Sequence, residues 1–128
     1  MIWESERILR HDLRVNPDKI FLFGDNLMQT GFGGQAREMR GEPNAIGIPT
    51  KKRPDNMADS FFTDREYCSN IEAIKKAFDS IPKGKDIVIP QAGLGTGLAR
   101  LPERAPKTYE YLLCRLELLR IAQEEKKK

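Results

Sequence analysis

The sequence predicts a compact three-layer α/β fold, with a mostly parallel central sheet and helices on both of its faces. Three short apolar runs, at 20–23, 45–48 and 87–89, are each followed at once by a glycine or a proline, which is typical of strands that end in a turn. The runs are continuous rather than alternating, as in parallel strands that are covered by helices on both faces. Helical patterns separate the runs, so the chain fits a layered α/β domain.

The helical patterns differ in strength. The clearest covers 64–81, where apolar residues recur every three or four positions. The last helix is expected to begin near Pro106, because the first position of a helix does not need the N–H that proline lacks. A shorter helix is predicted to begin within 33–37 and to end at Gly41, whereas 7–15 fits either an edge strand or a helix.

The composition indicates one domain. A chain of 128 residues has the usual length of a single domain, expected here over 1–125, and three lysines at 126–128 are expected to form a basic disordered tail. The net charge of +3 is modest, no leader pattern opens the chain, and no apolar run reaches the roughly 18 residues that a membrane span requires. We therefore expect a cytoplasmic monomer that does not contact a membrane.

The metal-ligating residues are too few and too scattered for a zinc site. The chain has one histidine, His11, and two cysteines, Cys68 and Cys114, that lie far apart in the sequence. We therefore expect no bound metal and no cofactor, and we expect both thiols to be reduced.

Polar segments, two of them rich in glycine, follow the three predicted strands, at 24–34, 50–53 and 91–98. The carboxyl ends of parallel strands lie along one edge of a sheet, where open α/β sheets bind their ligands. Glycines such as Gly93 and Gly95 allow the backbone to turn tightly and to bring its N–H groups close to an anion. Because the first segment also leads into a predicted helix, whose N-terminus favours phosphate, the sequence predicts a site for a phosphate-bearing nucleotide.

Two common nucleotide sites do not fit this spacing. No Gly-Lys-Ser/Thr follows the glycines, which disfavours a P-loop and phosphoryl transfer. The strand after the first glycine segment ends in Pro49, Thr50 and Lys51, not in the acidic residue that binds the ribose in a dinucleotide fold, which disfavours hydride transfer. A structural domain, in which the glycines serve only the turns, remains an alternative.

Several stretches occur in an order that points to a family: 23–26 followed by 31–36, then 48–53, then 89–101. They resemble the first substrate loop, the strand end that presents a lysine, and the phosphate-binding loop of the macro domain, an ADP-ribose-binding α/β module. The likeness is strongest to the lysine-dependent branch that resembles terminal ADP-ribose–glutamate glycohydrolase and the DarG antitoxin. It spans about residues 20–119, in a chain shorter than most macro domains.

This resemblance implies a macro-domain-like fold and a set of residues that bind ADP-ribose or an ADP-ribosylated substrate. The diphosphate would lie along 93–98, and Asp25 and Asn26 would contact the distal ribose or the adenosine side. Phe32 either stacks on a ring of the ligand or packs locally. The expected ligand-binding residues are Asp25, Asn26, Phe32, Gly33, Gly34, Gln35, Thr50, Gly93, Leu94, Gly95, Thr96, Gly97 and Leu98.

The resemblance also implies that Lys51 is a catalytic nucleophile, which attacks the anomeric carbon of ADP-ribose and displaces the modified group. This chemistry needs a neutral amine, so the pKa of Lys51 must be lowered by burial or by cations such as Lys52 and Arg53. A phosphate contact and a solvated surface position remain alternatives for Lys51.

One departure from the branch leaves the activity open. Ala99 stands where the branch carries an assisting aspartate, and alanine cannot exchange a proton. Either Asp25 takes this catalytic role and the protein removes ADP-ribose from nucleic acid or protein, or the protein is a reader or scavenger that binds without hydrolysis. A nucleotide phosphoribohydrolase of the lysine-decarboxylase-like family is a weaker alternative, because the paired glycine before Gly-Thr and the following glutamates of that family are not reproduced around Gly95 and Thr96.

Overall fold

The sheet has four strands, β1 (Ile2–Ser5), β2 (Lys19–Asn26), β3 (Ala45–Lys51) and β4 (Asp86–Pro90), in a computed structural model that describes residues 2–5 and 8–125. Their order across the sheet is β1-β4-β2-β3, and each neighbouring pair is parallel. The three predicted strands are confirmed, and each continues past its apolar run. The predicted parallel α/β class is therefore confirmed.

Strand β2 is central and explains why its apolar run is continuous. Ile20 and Leu22 belong to the core on one face of the sheet, and Phe21 and Phe23 to the core on the other. Successive side chains of a strand point to opposite faces, so a strand covered on both sides needs apolar residues at every position.

Helices cover both faces, as predicted. Two short helices, α1 (Arg10–Val15) and α2 (Ala36–Met39), contribute Leu13, Ala36 and Met39 to the core that contains Phe21 and Phe23. The opposite core is formed by α3 (Tyr67–Asp79), α4 (Leu101–Arg104) and α5 (Pro106–Glu125).

The helix boundaries differ from the sequence predictions in several places. The pattern over 64–81 divides into a 3-10 turn, Asp64–Glu66, and α3. The helix expected within 33–41 is only the four residues of α2, because Gly34 has a φ of +58°, in the left-handed region, and cannot continue a right-handed helix. Residues 7–15, which fitted two elements, contain α1.

The expected tail at 126–128 lies outside the described residues. Within 8–125, no helix is both long enough and apolar enough to cross a bilayer.

The N-terminus of α5 is capped by a side chain that is distant in sequence. The Asp64 carboxylate accepts hydrogen bonds from the N–H groups of Lys107 and Thr108, at 3.0 and 3.1 Å, and from the Thr108 hydroxyl at 3.1 Å. The first N–H groups of a helix have no partner within it, and Ala105, which precedes α5, has no side chain that can accept them. Partial burial raises the pKa of Asp64, but these hydrogen bonds outweigh that effect and hold the pKa below its ordinary value.

Replacement of this cap should destabilise the fold. We expect Asp64→Ala to lower the free energy of unfolding by about 1 kcal/mol at pH 7, because α5 loses its N-terminal acceptor. A lowered pKa means that the stabilisation is present above the ordinary aspartate pKa and is lost as the pH falls through the folded-state pKa. Urea unfolding should therefore show a difference from wild type that narrows below about pH 4. Asp18→Ala, at an exposed turn, should leave the stability unchanged, and an equal loss there would contradict the capping role.

Candidate functional site

The carboxyl ends of β2, β3 and β4 border a cavity of about 350 Å³. This volume is within the range of small-molecule sites. All three segments singled out in the sequence contribute to its wall, so the structure brings them together at one edge of the sheet. The wall contains these residues from the sequence-based set: Asp25, Asn26, Gly33, Gly34, Gln35, Thr50, Lys51, Gly93, Gly95, Thr96, Gly97 and Leu98.

Two residues of the sequence-based set do not line the cavity. Leu94 is 1% exposed and belongs to the core cluster that also contains Leu101 and Ile89, so the loop turns its side chain inward. Phe32 is 65% exposed and lies outside the wall. The wall also contains residues that the sequence-based set did not name. Arg40 and Pro54 were missed altogether, whereas the others lie within the segments or stretches singled out in the sequence: Gly24, Thr30, Gly31, Ala36, Pro90, Ala92 and Ala99.

Arg40, which the sequence-based set did not include, forms an ion pair with Asp25. The two terminal nitrogens of Arg40 lie 2.5 and 3.2 Å from the two Asp25 carboxylate oxygens, and both side chains are largely buried. Arg40 also donates to the carbonyls of Gly31 and Thr30, at 2.7 and 3.1 Å. One guanidinium therefore joins the end of the central strand to the loop that follows it.

Two further details hold Asp25 in place. Its carboxylate accepts the N–H of Asn26 at 2.8 Å. A Cβ at Gly47, on the neighbouring strand, would lie 2.5 Å from an Asp25 carboxylate oxygen, so only glycine fits there. The sequence showed Asp25 as a candidate proton acceptor, whereas the structure shows that both of its oxygens already accept hydrogen bonds.

Asn26 is also used within its own loop. Its side-chain amide donates to the Thr30 carbonyl at 2.7 Å, and its side-chain oxygen accepts the Met28 N–H at 3.0 Å. Asn26 lines the cavity, but both ends of its amide group hold the turn at 26–30.

The second glycine loop carries a run of free backbone donors. Gly93 and Gly95 have φ of +93° and +78°, which favour glycine, and the N–H groups from Leu94 to Ala99 donate no hydrogen bond to any described residue. The loop is closed by a 2.8 Å hydrogen bond from the Leu101 N–H to the Gly95 carbonyl. Because consecutive unpaired N–H groups form concavities that bind anions, this loop can hold a phosphate group.

Glycines also let the loops approach one another. A Cβ at Gly24 would lie 3.2 Å from the Gly95 nitrogen, so the end of β2 packs directly on the second loop. A Cβ at Gly33 would lie 3.0 Å from a Leu98 methyl carbon, and one at Gly31 would lie 2.9 Å from Pro54. Larger residues at these positions would push the loops apart and change the shape of the cavity.

Lys51 lies at the end of β3 and is 6% exposed, with its side chain in the cavity wall. Its Nζ lies 3.4 Å from the Asn56 side-chain oxygen and 4.6 Å from the centre of the Phe61 ring. Burial lowers the pKa of Lys51 below the ordinary lysine value, and the nearby Asp55 carboxylate partly opposes this effect. The lysine is therefore deprotonated at a lower pH than a surface lysine.

Two causes of a lowered Lys51 pKa were expected from the sequence, burial and the neighbouring cations. The cations do not cause it. Lys52 pairs with Glu66, and Arg53 pairs with Asp59, each at 2.5 Å. Their charges are compensated, so burial accounts for the lowered pKa of Lys51.

The remaining titratable candidates lie elsewhere. Cys68 and Cys114 are free and exposed. Within the described ranges, no three side chains of histidine, cysteine, aspartate or glutamate are grouped so that they could hold a metal ion.

Comparison with known proteins gives one match. The model of a family of unknown function, DUF7831, matches residues 3–115, which is most of the chain. The chain belongs to this family. No curated protein and no solved structure is significantly similar to this DUF7831 chain.

The Asp25–Arg40 pair gives a direct test of what holds the first loop. We expect Arg40→Ala to lower the free energy of unfolding by about 3 kcal/mol in urea titrations, because it leaves the buried Asp25 carboxylate without its counter-charge. In an Asp25→Asn background, Arg40→Ala should lower the free energy of unfolding by less. The effects of the two substitutions should depart from additivity by about 1–3 kcal/mol.

Arg37→Ala is the matched control, because Arg37 is exposed on α2, three residues before Arg40, and its side chain makes no hydrogen bond or ion pair with any described residue. It should change the stability by less than about 0.5 kcal/mol. Strict additivity of the Asp25 and Arg40 changes would contradict the coupling.

Proposed function

We propose that this protein binds ADP-ribose and removes it from a nucleic acid base or a protein carboxylate, with Lys51 as the nucleophile. One observation supports this proposal above others: Lys51, which is buried, and residues 95–99, whose backbone N–H groups are free, line the same cavity. A phosphate site beside an amine with a lowered pKa suits a substrate that carries both a diphosphate and an electrophilic sugar carbon.

The order of the loops along the chain supports the assignment to the macro domain. The loop after β2, the lysine at the end of β3 and the glycine loop after β4 meet at the carboxyl edge of a parallel sheet, where α/β folds bind their ligands. We further propose a cytoplasmic location, with which the exposed free thiols of Cys68 and Cys114 are compatible.

In the proposed reaction, the lone pair of the neutral Lys51 amine attacks the anomeric carbon of the terminal ribose. The bond from this carbon to the modified group breaks as the bond to nitrogen forms, and the leaving group takes up the proton that the lysine nitrogen then loses. Water then cleaves the bond between the sugar and the lysine, which releases ADP-ribose and regenerates the amine. The lowered pKa of Lys51 increases the fraction of neutral amine that begins this sequence.

Asp25 is better suited to holding the first loop than to assisting this reaction. Its carboxylate is engaged by Arg40 and by the Asn26 N–H, and Ala99, which lines the cavity, has no group that exchanges a proton. We therefore assign to Asp25 a positioning role, in place of the catalytic role considered from the sequence.

A second candidate function is a reader or scavenger that binds ADP-ribose without hydrolysis. Ala99 favours it, because the cavity wall lacks the acidic residue that assists the lysine in the related branch. Loss of the Lys51 amine distinguishes the two functions. It should abolish turnover in a hydrolase, whereas in a reader it should change only the affinity.

Isothermal titration calorimetry with ADP-ribose tests the binding. We expect saturable one-to-one binding by the wild type, and a Lys51→Ala variant that loses no more than about tenfold in affinity, because the N–H groups of the second loop remain. Release of ADP-ribose from a modified oligonucleotide or a modified glutamate peptide should be abolished in Lys51→Ala and retained in Lys52→Ala. Binding without release by the wild type would establish the reader, and no binding at millimolar ADP-ribose would refute the macro-domain assignment.

The pH dependence of release is a separate test of the nucleophile. Because only the neutral amine reacts and burial lowers the pKa of Lys51, the rate should rise with pH and level off below the ordinary lysine pKa of about 10.4. A rate that is constant from pH 6 to 10, measured with saturating substrate, would argue against Lys51 as the attacking group.

A further inference from the structure

The Lys51 amine is held from one side by residues that the proposed reaction does not use. Asn56 contributes a neutral side-chain oxygen at 3.4 Å, and Phe61 contributes the face of its ring at 4.6 Å. Phe61 is 5% exposed, and its backbone pairs with that of Lys51 in an isolated antiparallel bridge. Lys51 lines the cavity, whereas Asn56 and Phe61 do not, so both groups contact the amine from outside the cavity wall.

Several hydrogen bonds hold the segment that carries Asn56. The Asp55 carboxylate accepts hydrogen bonds from the Ser60 hydroxyl and from the Met57 N–H, and Lys52 donates its N–H to the Ser60 carbonyl at 2.8 Å. Arg53 donates to the Ser60 hydroxyl at 3.1 Å. These bonds close the segment 52–60 on itself, so Asn56 is presented to Lys51 in a defined position although it is exposed to solvent.

We propose that Asn56 is a positioning residue that, together with the Phe61 ring, orients the Lys51 amine toward the cavity. A neutral amine has two N–H bonds and one lone pair. An N–H directed at the Asn56 oxygen leaves the lone pair for an electrophile, and an amide oxygen provides this contact without the negative charge that would stabilise the ammonium form. This inference rests on the proposed role of Lys51.

Other charged groups act on the same amine or lie near it. Asp55, in the same segment, favours the ammonium form, and Arg104, at the end of α4, lies over the Phe61 ring at 4.5 Å. Across the cavity wall, Asp25 and Arg40 compensate each other in their ion pair. Asn56 is thus the neutral hydrogen-bonding partner of the Lys51 amine, whose surroundings also contain an acidic and a basic side chain.

The first experiment measures the amine without any substrate. The pH dependence of Lys51 acetylation by acetic anhydride, followed by mass spectrometry of the peptide, gives the apparent pKa of the amine. Asn56→Asp should raise this pKa by about 1 unit, because a carboxylate then faces the ammonium group. Phe61→Leu should lower it, because the ring stabilises the charged form.

Two points of design keep this experiment decisive. Phe61 is buried and its replacement can destabilise the fold, whereas Asn56 is exposed, so the Asn56 variants decide the question if the Phe61 variant does not fold. Met57→Ala is the matched control, because Met57 is the exposed neighbour of Asn56 and contributes only backbone bonds to the segment. A Lys51 pKa that is the same in Asn56→Asp and in wild type, or that changes equally in Met57→Ala, would overturn the inference.

The second experiment measures turnover on the modified oligonucleotide or peptide. Asn56→Ala should reduce kcat about tenfold with little change in KM, because the amine loses its orientation but the phosphate loop is intact. Asn56→Asp should move the rising limb of the pH profile to higher pH. If the wild type shows no release but the acetylation pKa still responds as expected, the proposed hydrolase fails and the contact of Asn56 with Lys51 stands. Release by the wild type with an unaltered kcat and pH profile in both Asn56 variants would overturn the positioning role alone.

Discussion

The shape of the cavity depends on the buried ion pair between Asp25 and Arg40. Asp25 is the next-to-last residue of the central strand, and Arg40 follows α2, so their contact draws the intervening loop back onto the sheet. The same guanidinium donates to two carbonyls of that loop. Such a pair is stable only while both charges are present, because either one alone would be buried without compensation.

The two basic side chains of the wall therefore have different electrostatic environments. The charge of Arg40 is neutralised by Asp25, and Arg40 holds the first loop against the sheet. Lys51 contacts a neutral amide and an aromatic ring, forms no ion pair with any described residue, and has a pKa lowered by burial. An amine without an ion pair, beside a loop of free N–H groups, suits the proposed anionic substrate and the proposed role of Lys51 as the nucleophile.

Much of the fold could be predicted because local patterns and tertiary environment agree. The apolar run of β2 is continuous since both faces are covered, and Pro106 marks the start of α5 because a helix does not use that N–H. The prediction failed where backbone geometry outweighed pattern. Gly34 adopts a left-handed conformation, so the expected helix is reduced to a single turn. A helix this short lacks the aligned peptide dipoles by which the N-terminus of a long helix attracts an anion.

The sequence by itself determined three of the four parallel strands, the three segments at their carboxyl ends and the presence of Lys51 among them, because apolar runs and glycine-rich turns are local signals. Strand β1 was not predicted. Only the tertiary structure decided the roles of the individual side chains. It turned Leu94 into the core, paired Asp25 with Arg40, and placed Asn56 against Lys51. Ion pairs and burial depend on distances between residues remote in the chain, and spacing along one sequence does not contain those distances.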